Sequence, residues 1–170
     1  MKVISVLQPW ASLIVMGEKR IETRTWNTKY RGPLLIHASA GKKKEGHDLW
    51  HSKHCWDKCT YNKHFNELPF GAIIGQVNLV DTVKTSDLLL MKESNVPIKV
   101  RGTDVPKEWG REIAFGDYSN GRYGWLLSDP IYYKEHFVIK GQLNLWEFEL
   151  PEPFVKLLNI PVDYSYNPNK

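Results

Sequence analysis

The chain predicts an α+β fold, a small mixed β-barrel with peripheral helices. Two observations lead there. Apolar, β-branched segments recur along the chain while helix-period segments are few and short. Strands and helices also fail to alternate regularly, which argues against a doubly wound parallel sheet. The length of 170 residues suits one domain with a real core. We read residues 1–150 as that domain, residues 42–66 as a variable insertion and residues 151–170 as a C-terminal tail.

The elements follow in chain order. Val3 to Leu7 reads as a short strand. Pro9 suits the first turn of a helix, where its missing N–H costs nothing. Trp10, Leu13, Ile14 and Met16 give that helix one apolar face, and Gly17 can end it in a left-handed cap. Arg20 to Thr25 is predicted extended because Ile21 and Thr23 favour strands. Leu34 to Ala38 is a candidate buried strand, and residues 42–66 read as helical or irregular. Ala72 to Val83 is a long strand with Gly75 as a candidate bulge. Ser86 is expected to open a short helix by capping its first N–H groups. Residues 92–110 are turn-rich, and Glu112 to Phe115 is a short helical or extended piece. Arg122 to Tyr133 and Leu145 to Leu150 are strands, the first interrupted near Asp129-Pro130. Pro151, Pro153, Pro161 and Pro168 mark the tail.

Composition narrows the function classes. No run of eighteen apolar residues is present, and the N-terminus lacks an apolar signal segment with a cleavage site. The expectation is therefore a soluble cytoplasmic protein with no membrane contact. Two cysteines, Cys55 and Cys59, are too few for a disulfide framework. The net charge of +4 is modest. Residues 15–58 carry ten Lys or Arg against five acids, and a basic half favours an anionic partner such as RNA or a nucleotide. Ordinary surface charge for solubility accounts for that number equally well.

The segment Gly17-Glu18-Lys19-Arg20-Ile21-Glu22-Thr23-Arg24 concentrates the chemistry. Alternation along a strand puts Arg20, Glu22 and Arg24 on one face and Ile21 and Thr23 on the other. Lys19 enters from the preceding turn. Cations there can hold a phosphate or polarise a carbonyl, and a carboxylate can orient them or move protons. The plain alternative is a solvated strand with weak ion pairs. Around this segment, Trp10, Tyr123 and Trp125 are candidate stacking walls for a base, and Gln8 is a candidate reader of its edge. Taken singly, the tryptophans read as core residues and Gln8 as a helix cap.

Two further clusters stand out. His47, His51, His54, Cys55, Cys59 and His64 include helical i,i+4 spacings that gather metal-capable groups. They match no standard zinc motif, so the reading is a solvated His-rich helix, and no metal or cofactor is expected. Lys42-Lys43-Lys44 is a candidate phosphate-backbone contact or a solvated loop. His37 reads as a satisfied core or rim histidine rather than a base.

The pattern G-x-K-x-x-E-x-R at residues 17–24 and the opening Ser5-x-x-Gln8-Pro9-Trp10-Ala11 resemble the ASCH family of the PUA-like superfamily. Gly32 to Ser39, Gly121 to Trp125, Lys140-Gly141 and Leu145-Trp146 extend the resemblance over most of residues 3–150, residues 42–66 excepted. It implies a PUA-like barrel with a cleft at the signature strand. It further implies binding of RNA or a modified nucleoside, with Lys19 and Arg24 on phosphate or a base carbonyl and Glu22 fixing them or accepting a base N–H. Some members resemble an amidohydrolase of N4-acetylcytidine that uses a lysine, a threonine and a distant glutamate. The lysine falls on Lys19 and the threonine on Glu22, which could act instead as a general base on water. Glu112 is the first positional candidate for the distant glutamate and Glu93 the second. Resemblance to other members implies RNA cleavage, or a protein partner in transcription or translation.

Overall fold

The computed structural model describes residues 1–56, 64–94, 96, 98–100, 103–106 and 108–151. Its centre is a six-stranded sheet curled into a half-barrel. In chain order the elements are β1 (Lys2–Val6), α1 (Trp10–Val15), β2 (Ile21–Arg24), β3 (Gly32–Ala38), α2 (Lys44–Trp50), α3 (Lys53–Trp56), a 3-10 turn (Phe65–Glu67), β4 (Ala72–Lys84), α4 (Thr85–Glu93), the hairpin β5 (Ile98–Val100) and β6 (Thr103–Val105), α5 (Trp109–Ala114), β7 (Tyr123–Val138) and β8 (Leu145–Glu147). The sheet runs β2-β7-β4-β3-β1-β8. Among the described residues only β1 and β3 pair in parallel, with Ile4 opposite Ile36. The β5–β6 hairpin stands apart.

Strand periodicity decides the two faces. Ile4, Val6, Leu34, Ile36, Ile74 and Trp125 point inward with Ile14 and Val15 of α1, so the helix fills the concave side. The alternate residues Val3, Leu35 and Ile73 point outward and are covered by Trp146 and Leu150. Burial on both faces explains the nearly continuous apolar runs of β1 and β3. Gly17 has φ +77 and closes the helical segment in the left-handed region, as its position predicts. Gly46 serves close approach: a Cβ there would lie 2.2 Å from the Gln8 carbonyl oxygen, so α2 can lean on the segment before α1 only through a glycine.

Several elements depart from expectation. Pro9 precedes α1 rather than opening it, and the Gln8–Pro9 peptide is cis. The helix predicted from Ser86 begins at Thr85 without a side-chain cap. The Thr85 hydroxyl is directed instead at the Ser119 and Arg122 carbonyls. Strand β7 is continuous through Asp129-Pro130. Asp129 takes φ +49, and Gln76 and Asn78 pair with Ile131 and Ser128, so the two intervening residues bulge out. The bulge removes Pro130, which has no N–H, from the ladder without ending the strand. The register also shifts at Gly75, as predicted. Leu145 to Leu150 shortens to β8, and residues 109–114 settle as helix α5. Cys59 and the prolines at 153, 161 and 168 lie outside the described residues.

Candidate functional site

Among the described residues strand β2 pairs only with β7, Glu22 opposite Trp125 and Arg24 opposite Tyr123. Ile21 turns to a cluster with Leu88, Tyr118 and Leu126. The Thr23 hydroxyl accepts from the Asp117 N–H at 3.1 Å. Glu22 and Arg24 take the other face and look across to the end of β1, where Arg24 Nη2 donates to the Ser5 carbonyl at 2.9 Å. A cleft of about 510 Å³ opens there. Its walls are the β1 end, Trp10, Glu22 to Trp26, Ser39 and the segment Ala114 to Asp117, with Arg122 also on the lining.

Behind the cleft lies a row of charge. Lys19 is 0 % exposed, its Nζ 3.6 Å from Glu22 Oε2 and 3.7 Å from Glu112 Oε1. It also donates to the Ile21 carbonyl. Glu112, from α5, accepts the Arg20 N–H at 2.9 Å and the Ile21 N–H at 3.0 Å, which fixes the chain as it enters β2. Arg24 Nε lies 3.0 Å from Glu22 Oε1 as an ion pair rather than an aligned hydrogen bond. Two cations and two carboxylates therefore compensate one another, as buried charges must. Burial pushes the Glu112 carboxyl above the ordinary glutamate value. Lys19 and the two backbone donors pull the other way, and Glu22 adds to the push. Burial also raises the Tyr118 phenol, helped by Glu112 and Glu22, so it stays protonated.

The structure thus brings together Lys19, Glu22, Arg24 and Glu112, with Trp10 on the cleft wall. It separates the others. Gln8 is fully buried; its Nε2 donates to the Pro69 carbonyl at 2.7 Å and its Oε1 accepts the Ser12 N–H at 3.1 Å. That geometry makes it a helix cap with no face toward a ligand. Trp125 is fully buried beneath Trp26, ring centroids 4.8 Å apart and edge-on, and Tyr123 packs half-buried against the core. Lys42 and Lys43 are exposed beyond the cleft lining. Lys42 reaches Asn66 Oδ1 at 3.2 Å and lies over the Phe70 ring. Arg20 leaves the Glu22 face and donates from Nε to the Leu127 carbonyl. Among the described residues no group of three His, Cys, Asp or Glu is arranged to hold a metal; Cys55 is a buried core thiol.

Sequence reasoning passed over Trp26 and Arg122. Trp26 was within reach: it continues the 22, 24, 26 alternation, so it falls on the cleft face, half-exposed. Arg122 carried no local signal, because its place on the rim follows from β7 pairing with β2.

The chain is similar to activating signal cointegrator 1 of Homo sapiens, 29% identical over 155 residues, and to that of Mus musculus, 27% identical over 153. Each match takes in 86% of this chain but only 22% of the relative's length. Among solved structures, ASCH from Zymomonas mobilis aligns with a TM-score of 0.48 and 15% identity over 92% of both chains. Among the described residues no helix is long and apolar enough to cross a membrane. The sequence model of the ASCH domain matches residues 4–152, and the chain belongs to the ASCH domain family.

Proposed function

We propose that the chain binds RNA or a modified nucleoside, with one unpaired base held in the cleft. The observation that carries this reading is a single concavity combining the aromatic residues Trp10, Trp26 and Phe115 with the Glu22–Arg24 pair. Every base has a π face, and stacking on an aromatic contributes roughly 1–3 kcal/mol per base. Every base edge also sets donors beside acceptors, which a carboxylate next to a guanidinium complements. Glu22 repels phosphate at that depth, so the interior suits a base. Trp10 and Trp26 stack, Arg24 donates and Glu22 accepts. Lys19 holds Glu22 in place, Glu112 anchors Lys19 and the entry to β2, and Lys42 and Lys43 attract the backbone outside. The ASCH domain family is associated with RNA binding, which supports this reading. Calorimetric titration with nucleosides and a short single-stranded RNA tests it. Saturable, salt-sensitive binding that Arg24→Ala abolishes is expected; an Arg24→Ala protein of parental affinity refutes it.

The cluster of Lys19, Glu22 and Glu112 favours a second reading, hydrolysis of an N4-acyl group from cytidine. Glu22, the member that lines the cleft, would take a proton from water as its oxygen attacks the acyl carbon. Arg24 would donate to the oxyanion, and the proton would pass to the departing N4 amine, releasing cytidine and the acid. Lys19, fully buried, would act through Glu22. Attack by a ribose 2′-hydroxyl, which is RNA cleavage, would use the same base. Chromatography of N4-acetylcytidine after incubation decides: cytidine formed by the parent and not by Lys19→Ala or Glu22→Ala supports hydrolysis, and no conversion removes it. The human and mouse relatives' name, activating signal cointegrator 1, supports a third reading, docking to a protein partner. Arg24→Ala would then match the parent in every RNA assay. Action in the cytoplasm belongs to the RNA reading and is checked by imaging the tagged chain.

A further inference from the structure

The two arginines of the cleft are held very differently. Arg24 is tied by a hydrogen bond from Nη2 to the Ser5 carbonyl at 2.9 Å and by an ion pair with Glu22, its Nε 3.0 Å from Oε1 though not aligned as a hydrogen bond. Arg122 is held loosely. Its Nη1 lies 3.3 Å from Asp117 Oδ2 and its Nη2 3.4 Å from the Thr23 carbonyl, both near the limit of a hydrogen bond. Its Nε is buried and has no hydrogen-bond partner among the described residues. A guanidinium carries five N–H donors, and the second hydrogen of each Arg122 Nη has no partner among the described residues. Asp117 does not depend on this contact either. It is more than half exposed, and Oδ1 accepts the Ser119 N–H at 3.0 Å.

Position adds to the contrast. Arg122 immediately precedes β7, whose first residues pair with Thr23 and Arg24. It therefore sits on the rim of the same cleft whose interior the base would occupy. A planar fork with free donors, next to a base-sized concavity, matches the phosphate attached to a bound nucleoside.

We infer that Arg122 is a phosphate-recognising residue, and that the ligand is a nucleotide or a nucleotide unit of RNA rather than a free nucleoside. This rests on the base-binding reading above. On binding, the phosphate draws Arg122 away from Asp117, which turns to its Ser119 contact. Repulsion from Asp117 keeps a lone anion from binding well, so the phosphate is recognised only when the base brings it to the rim.

Calorimetric titration of the full chain tests this with the four ribonucleosides, their monophosphates, a short single-stranded RNA and inorganic phosphate. The parent is expected to bind at least one monophosphate and the RNA about tenfold more tightly than the matching nucleoside, the effect of one charge-assisted contact. Inorganic phosphate alone is expected to give no saturable signal. Arg122→Gln brings the nucleotide-to-nucleoside ratio to about one, Arg122→Lys restores part of it, and Asp117→Asn raises it. Circular dichroism confirms that each variant is folded. Equal affinity for nucleoside and monophosphate in the parent, or an unchanged ratio in folded Arg122→Gln, overturns the inference and leaves base binding standing. Inorganic phosphate competing as well as a nucleotide also overturns it. Binding of neither nucleosides nor nucleotides overturns the base-binding reading and the inference together.

Discussion

Replacing Lys19 by methionine tests whether the buried charge row stabilises the fold. Methionine keeps most of the aliphatic stem, so packing changes little while the charge is removed. The loss leaves Glu112, 1 % exposed, and Glu22, 9 % exposed, without the cation 3.6–3.7 Å away. Breaking a buried pair by removing one partner costs about 3–5 kcal/mol. Against a whole stability of about 5–15 kcal/mol that is a large fraction, visible as a lowered urea midpoint at pH 7. The sign of the pH dependence follows from Glu112. Its folded value already lies above the ordinary one, and Lys19 is among the groups holding it down. Without Lys19 it rises further. The stability tied to that proton is complete below the unfolded value and is lost as pH rises through the folded one. The deficit of Lys19→Met should therefore shrink as pH falls from 7 toward 5. A double-mutant cycle with Glu112→Gln should show coupling of about 0.5–3 kcal/mol. A loss below about 1 kcal/mol together with a pH-independent deficit would refute the reasoning, since it would mean the charges are solvated rather than mutually compensating.

Three further outcomes are expected. Trp26→Ala should weaken base binding by about 1–3 kcal/mol while leaving the fold cooperative, because Trp125 beneath it stays covered by the core; fluorescence titration reads the affinity, and parental affinity removes Trp26 from the stacking wall. Burial holds the His37 imidazole below its ordinary value; Nε2 donates to the Ile139 carbonyl at 2.9 Å, and the buried Nδ1 has no hydrogen-bond partner among the described residues. The unfolded chain takes up that proton first, so stability should fall as pH drops below about 6.5, with a slope of up to about 1.4 kcal/mol per pH unit that His37→Gln flattens in urea titrations. Gly46→Ala should lower stability by about 1–3 kcal/mol, since its new methyl meets a backbone oxygen that cannot rotate away; an unchanged midpoint in thermal denaturation contradicts the close approach of α2.

Local rules reached a good part of this protein. A strand's period of two put Glu22 and Arg24 on one side and Thr23 on the other, and the structure keeps that division. Gly17 announced the end of the first helix because few other residues accept its φ, and apolar runs announced β1, β3 and β4. These features depend on residues within a few positions of each other, so they are written in consecutive letters. What the alternation could not say is which side of a strand another part of the chain covers. Trp125 and Trp26 are equally aromatic. The pairing of β7 with both β2 and β4 sends the first into the core and leaves the second on the cleft. Lys19 reads as a cation at the rim of a cleft until α5, some ninety residues later, brings Glu112 against it, and Gln8 reads as either a base reader or a helix cap until Pro69 accepts its N–H. Charge compensation and burial are properties of contacts between distant segments, so tertiary structure alone decided which charged and aromatic residues of the signature region line the cleft and which hold the fold.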